Sequence, residues 1–248
     1  MIGIKDEGKH YLTDLHMHVV PGIDDGSDSM EMSLEMLSIA QEQGIRGVFC
    51  TSHSWYNPRG CEAYITSFHE LKKYAKERFP DMRLYSGCEL LCCTENIEDN
   101  IARLQAGTLL PLGDTRYVLT ELFPDVTHEE AELIVSRLLE NHWKPIFAHM
   151  ERYPKLFYGD TIEVFLEMGC MIQVNAYSLS EEKRRDIKER ARELLRKKQI
   201  HFLGSDAHRT NHRPPRVKEG LNYIWQNTDE EYVEDICYKN AKKYLITK

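Results

Sequence analysis

The chain has 248 residues, which suits one large domain or two small ones. Hydrophobic residues make up 42% of it and charged residues 29%, the balance of a soluble globular protein. Forty acidic against 32 basic side chains leave a formal charge of −8, which argues against a general nucleic-acid surface because phosphates need a basic face to neutralise them.

Taken in chain order, Met1 to His10 carries Lys5, Asp6, Glu7 and Lys9 and has no apolar core. No secretory leader is expected, and the cytoplasm is the expected compartment. No apolar run reaches the roughly 18–20 residues that span a bilayer, so membrane insertion is not expected either. Short apolar segments predict strands at Tyr11–Leu15, Gly47–Thr51, Arg83–Gly87, Tyr117–Thr120, Pro145–Ala148, Met171–Val174 and His201–Gly204. A helix is predicted over Met30–Gln43, with Met30, Leu34 and Leu37 on one face, Asp28 and Glu31 as its cap and Gly44 as its stop. Thr127-x-x-Glu130 reads as a capping box before a helix carrying Ala131, Ile134 and Leu138. Glu181–Lys198 places Ile187, Ala191, Leu194 and Leu195 on one stripe among charged residues, the pattern of a solvated helix rather than a nucleic-acid patch.

No linker, repeat or compositional shift divides the chain, so residues 1–248 are read as a single domain. Strands alternating with helices predict an α/β fold with a mostly parallel sheet, either a closed or nearly closed barrel or an open doubly wound sheet. The seven cysteines include the cluster Cys88, Cys92 and Cys93 but no Cys-x-x-Cys pair, and they read as free thiols in a reducing compartment.

The residues at the ends of the predicted strands are more informative. The strands lead, in order, into His16 and His18, His53, Glu89, Glu121, His149, Asn175, and Asp206 with His208; Asp24 and Asp25 come closely behind the first. In α/β barrels the carboxyl ends of the strands carry the active site. Any one of these residues alone reads as a capping or ion-paired side chain. Burying five histidines and three carboxylates together without a compensating charge would cost several kcal/mol each, roughly, so the set predicts a multinuclear metal site. Arg152 lies three residues after His149 and Arg213 five after His208. Their guanidinium forks match phosphate oxygens, although either arginine alone reads equally as a surface or rim side chain.

The segments Asp14-Leu15-His16-Met17-His18, Pro21-Gly22-Ile23-Asp24-Asp25-Gly26-Ser27, Thr51-Ser52-His53, Gly87-Cys88-Glu89, His149-Met150-Glu151-Arg152-Tyr153 and Ser205-Asp206-Ala207-His208 resemble the PHP superfamily. More closely they resemble its bacterial protein-tyrosine phosphatases of capsular and exopolysaccharide synthesis, the CpsB/YwqE type. The resemblance runs from Asp14 to about Pro215. It implies a distorted (β/α)7 TIM-like barrel and three divalent metal ions, with manganese preferred and iron, magnesium or zinc compatible. It implies that His16, His18, Glu89 and Asp206 serve one ion, and that His53, Glu121 and His149 serve a second with Glu89 bridging. Asp25, favoured over Asp24, and His208 would help hold a third. Arg152 and Arg213 match the family's phosphate-binding arginines.

The implied reaction is hydrolysis of phosphotyrosine by attack of a metal-bound hydroxide, with Asp206 or His208 as candidate proton donors to the leaving group. The implied partner is a phosphotyrosine protein or peptide, such as the tail of a bacterial tyrosine kinase. No cysteine has an arginine six positions after it, so the cysteine route to phosphotyrosine hydrolysis is excluded. The alternatives are a small-molecule phosphatase such as one for histidinol phosphate, a nuclease, and a non-catalytic kinase-docking module that retains metal. The absence of a long insertion favours a peptide substrate over a small one. Two departures from the family pattern stand out: a long lead before His16, expected to add a strand piece or stay loose, and the loop Ser54–Cys61, expected to shape the substrate mouth.

Overall fold

Seven parallel strands succeed one another around the molecule in sequence order, each pairing with the next. The computed structural model describes residues 12–54 and 60–246. The N-terminal lead, Tyr11 and the middle of the Ser54–Cys61 loop lie outside the described residues.

The strands are β1 (Leu12–Met17), β2 (Ile45–His53), β3 (Arg83–Leu91), β4 (Tyr117–Glu121), β5 (Lys144–Phe147), β6 (Met171–Asn175) and β7 (Phe202–Gly204). All seven predicted strands are present. β2 and β3 run further than predicted, out to His53 and past Glu89, while β7 begins one residue late at Phe202. The sheet nearly closes on itself. Met17 bridges Ala207 in parallel, His18 donates its N–H to the Ala207 carbonyl at 2.9 Å, and Asp206 donates to the His16 carbonyl at 2.7 Å. This seam joins the first strand to the segment after the last, so the open doubly wound alternative does not hold.

Helices α1 (Met30–Glu42), α2 (Cys61–Arg78), α3 (Ile97–Gln105), α4 (His128–Glu140), α5 (Thr161–Glu167), α6 (Arg185–Arg196) and α7 (Lys218–Asn227) cover the barrel. The α4 capping box forms as predicted: Glu130 N–H donates to Thr127 Oγ1 and Thr127 N–H to Glu130 Oε2. The α1 cap does not. Ser29 Oγ accepts from Met32 N–H at 3.2 Å, and Asp28 instead pairs with Arg209 at 3.0 Å. Helix α6 starts later than the pattern suggested, at Arg185, and Glu181 ahead of it pairs with Lys188 and Arg192 on the helix. Ala191, Leu194 and Leu195 are its buried face, with Ile187 only partly covered. All seven cysteines are free. No helix among the described residues is long and apolar enough to cross a membrane.

The core has two parts. The larger joins sheet to helices through residues such as Leu37, Val48, Leu71, Ile134 and Leu194. The smaller gathers Leu15, Phe49, Leu119, Ile146 and Phe202 from five strands, with Ala241 and Leu245 against it, and fills the barrel. Each such fully buried side chain contributes about 1.5–3 kcal/mol. β1 carries a register shift between Asp14 and Met17, where the in–out alternation of a regular strand breaks. Leu15 can therefore join this filling while His16 faces the site.

Helix α7 docks on the turn after β6 through Gly220, where an added Cβ would stand 1.8 Å from the Ala176 carbonyl oxygen. Gly220→Ala is expected to destabilise the protein by about 1–3 kcal/mol through overpacking, outweighing its gain in helix propensity. A urea titration would read this as a lower midpoint with unchanged slope. An unmoved midpoint would mean that the helix and turn are not in this contact.

Candidate metal centre

Every strand except β6 carries, at or just beyond its carboxyl end, a histidine or carboxylate that turns toward one point. The nine predicted ligands meet there. They form four overlapping groups: His18, Asp25, His53 and His208; His16, Glu89 and His149; His16, His18 and Asp206; and His53, Glu89 and Glu121. Within each group the candidate ligand atoms lie within 4.8 Å of one another. Strand register brings this about in part, since β2 and β3 pair His53 with Glu89, and β3 and β4 pair Leu91 with Glu121.

Glu89 is the hub. Its Oε2 lies 3.1 Å from His16 Nε2, 3.3 Å from His18 Nε2 and 3.0 Å from His53 Nδ1, while Oε1 lies 2.9 Å from His149 Nε2. Yet Oε2, though buried, has no hydrogen bond of acceptable geometry among the described residues. His16 Nε2 and His18 Nε2 also face each other at 3.1 Å. Nitrogen and carboxylate lone pairs that converge without satisfying one another are what a divalent cation would fill, and this mixed nitrogen–oxygen set suits such ions.

A further layer holds these side chains. Asp24 Oδ2 lies 2.8 Å from His18 Nδ1 and accepts from His53 N–H at 2.8 Å, which leaves His18 Nε2 to face the site. The Asp25 carboxylate lies on the other side, 3.7 Å from His53 Nε2 and 3.6 Å from His208 Nε2. Of the two neighbouring aspartates, Asp25 is thus the one in the cluster. Gln173 Oε1 accepts from His149 N–H at 2.8 Å and lies 3.3 Å from His16 Nδ1. Asp14 Oδ1 accepts from the N–H groups of His16 and Ser205. Tyr153 Oη lies 3.3 Å from His149 Nδ1. The backbone is left-handed at His149, Asp206 and Arg213, with φ of 32°, 54° and 55°, and such strain typically persists where surrounding contacts over-determine it.

Both predicted arginines reach the rim. Arg152 Nη2 donates to Asp206 Oδ2 at 2.5 Å, Arg213 pairs with the same oxygen, and Asn175 Nδ2 donates to it at 3.0 Å. Asp206 Oδ1 faces the histidines, 3.7 Å from His16 Nε2 and 3.6 Å from His18 Nε2. The arginines line an open cavity of about 240 Å³ beside the cluster.

The sequence matches the family described as capsular polysaccharide synthesis, CpsB/CapC, over residues 12–246. The chain belongs to the CpsB/CapC family. It is 27% identical to the tyrosine-protein phosphatase CpsB of Streptococcus pneumoniae over 245 residues, covering 95% of this chain and 98% of that one. It is 29% identical to the tyrosine-protein phosphatase YwqE of Bacillus subtilis strain 168, covering 94% and 91%. A solved chain from the crystal structures of YwqE and CpsB, described as metal-dependent tyrosine phosphatases, superposes with a TM-score of 0.79 at 26% identity over 90% of each chain.

In this CpsB/CapC member the electrostatics of the metal-free cluster are lopsided. Burial opposes charge on His18, but the Asp24 carboxylate and Glu89 outweigh it and lift its pKa to about 10. Burial likewise opposes charge on His16, and Glu89 and Asp206 again win and raise it. Burial and Arg152 push His149 down to about 4, and burial and the charge of His18 push His208 down to about 2. Burial and the neighbouring Glu89 charge raise Glu121 to about 7. At pH 7, then, His18 carries a proton in the metal-free protein and a cation must displace it, while His16 is shifted in the same direction. Protons are expected to be released when Mn²⁺ is titrated into metal-free protein, with affinity falling as pH falls. Calorimetry in buffers of different ionisation enthalpy would measure this, and binding without proton release would contradict the assignment. Asp24→Asn is expected to weaken metal binding by roughly 10–100-fold by loosening the His18 ring.

Proposed function

We propose that this chain is a metal-dependent protein-tyrosine phosphatase acting in the cytoplasm as a single-domain enzyme. The phosphatase reading is carried by one observation: two arginine forks converge on Asp206 at the edge of a buried His/Asp/Glu cluster, in an open cavity. Its relatives CpsB and YwqE carry the name tyrosine-protein phosphatase. The substrate is phosphotyrosine on a protein, of which the tail of a tyrosine kinase in polysaccharide synthesis is the leading candidate.

Nine side chains would hold three divalent ions, manganese first among them. His16, His18, Glu89 and Asp206 would serve one, and His53, Glu121 and His149, together with Glu89, another. Asp25 and His208 would help hold the third. When bound, the ions supply Lewis acidity toward a phosphoryl oxygen and lower the pKa of the attacking water.

The protein's own groups do the rest. Arg152 and Arg213 are each about one-third exposed, at 32% and 36%, so their forks can turn from Asp206 to the phosphoryl oxygens. There they offset charge that grows on those oxygens as the ester bond breaks. Burial would favour a neutral Asp206, but Arg152, His16 and Arg213 outweigh it and hold its carboxyl well below the usual range. Asp206 therefore stays ionised and positions the arginines rather than donating a proton. His208 is neutral and accepts from Arg213 Nη1 at 3.0 Å, so it has no proton to spare for the leaving group. A departing tyrosinate, with a conjugate acid pKa of about 10, needs one less than an alkoxide leaving group would.

The test is phosphate release from a phosphotyrosine peptide by protein stripped with chelator and resupplied with Mn²⁺, with histidinol phosphate alongside. Activity is expected to vanish on chelation and return with metal. Arg152→Ala and Arg213→Ala are each expected to lower kcat/KM by about 10²–10³-fold. Much faster turnover of histidinol phosphate would keep the metal site and overturn the substrate.

A further inference from the structure

The cavity beside the phosphate-gripping arginines is larger than one phosphoryl group needs. Its volume of about 240 Å³ is room for roughly eight waters. Its wall carries Arg152, Arg213, Lys183 and Arg216 against a single lining carboxylate, Asp206. These cations are not equivalent. Arg152 and Arg213 share Asp206, and Arg216 is answered by Glu182 at 3.1 Å and Glu219 at 2.8 Å. Lys183 Nζ has neither an ion pair nor a hydrogen bond among the described residues; it stands over the Tyr177 ring, 5.6 Å from the centroid. Lys183 is half-buried in the segment between the turn 176–179 and α6.

A half-buried ammonium with no ion-paired partner is unusual; the Tyr177 ring face and the more distant carboxylates of Glu151 and Asp206 replace only part of the hydration that burial removes. Burial and the like charge of Arg152 both hold Lys183 below the usual lysine range. An anion placed in the cavity would relieve both effects. The fourth cation, Arg216, also packs against Tyr177, 4.3 Å from its centroid, so both charges are anchored on one ring of the wall.

We infer that Lys183 marks a second anion subsite, which takes a further negative group of the substrate peptide while Arg152 and Arg213 hold the scissile phosphate. That group is an acidic side chain or a second phosphate flanking the phosphotyrosine. This rests on the phosphatase reading and makes Lys183 a specificity-determining residue of the same site.

The experiment compares kcat/KM of the metal-loaded enzyme for three phosphotyrosine peptides that differ only in their flanking residues: alanine, glutamate or a second phosphotyrosine. Wild type is expected to prefer an anionic flank by roughly three- to tenfold, the range of a close charge pair. In Lys183→Met the ratio to the alanine peptide should fall to near one, and in Lys183→Glu it should invert. Arg185→Gln removes a charge two residues away, on a side chain that is 90% exposed, and should keep the preference. A gain with both flanks assigns the subsite to anions generally; a gain with phosphotyrosine alone assigns it to phosphate. No preference in wild type, or equal loss in Arg185→Gln, overturns the subsite while leaving the phosphatase reading intact. No turnover of any peptide by wild type overturns the phosphatase reading, and the subsite falls with it.

Discussion

The rest of this structure depends on one buried carboxylate. Glu89 is 1% exposed and has four imidazole nitrogens within 3.3 Å. Protons alone fit this arrangement poorly. With His16 and His18 neutral and their Nδ1–H groups turned to Gln173 and Asp24, their Nε2 lone pairs face the carboxylate; with all rings charged, the interior holds excess positive charge that burial penalises. A cation resolves the conflict, because imidazole and carboxylate both turn their electron pairs toward it. The barrel makes the conflict possible, since strand ends from almost every position in the sheet can meet at one point only when the sheet curves back on itself. Closing the seam at Met17 and Ala207 puts Asp206 beside His16, so fold and site are completed by the same contacts.

Asp206 joins the two halves of the site. One carboxylate oxygen faces His16, His18 and His208, and the other takes Arg152, Arg213 and Asn175. Its left-handed backbone, with φ of 54°, sets that orientation. In the proposed reaction, a phosphate entering the cavity would compete with Asp206 for the two guanidinium groups. The competition sharpens the site: the arginines are held near their working positions before substrate arrives, and little motion is needed to transfer them.

The strands and the residues that cluster at their ends were legible in the sequence for one reason. Short apolar runs that end in histidine or carboxylate leave few other readings once six of seven strands share the pattern. The groups that act through a ligand were harder to see. Gln173 matters because β6 stands beside His16 and His149, a proximity that barrel closure creates and no local motif records; Tyr153 lies within the His149–Tyr153 segment, four residues after the ring it touches, but nothing in that motif states the contact. Alternation along β6 offered one signal, as Gln173 stands two residues before Asn175 and faces the same way; their side chains hydrogen-bond at 2.8 Å. Asp24 and Asp25 are adjacent in sequence and differ only in direction: one braces His18 and the other enters the cluster. The α1 cap went to Ser29 rather than Asp28 because Arg209, remote in sequence, claims the aspartate.

The acidic character of the whole chain and the basic character of its cavity are compatible because they act over different distances. A net charge of −8 spread over the surface is screened beyond roughly 8 Å at physiological ionic strength. Four cations on one cavity wall act at contact range, inside a partly enclosed space where screening ions are few. Long polyanions would lay most of their charge against the acidic exterior and gain little. A short segment carrying one or two negative groups can place all of its charge inside the cavity. The same sum of charges that argues against a general nucleic-acid surface is therefore compatible with selection of a small, locally anionic ligand.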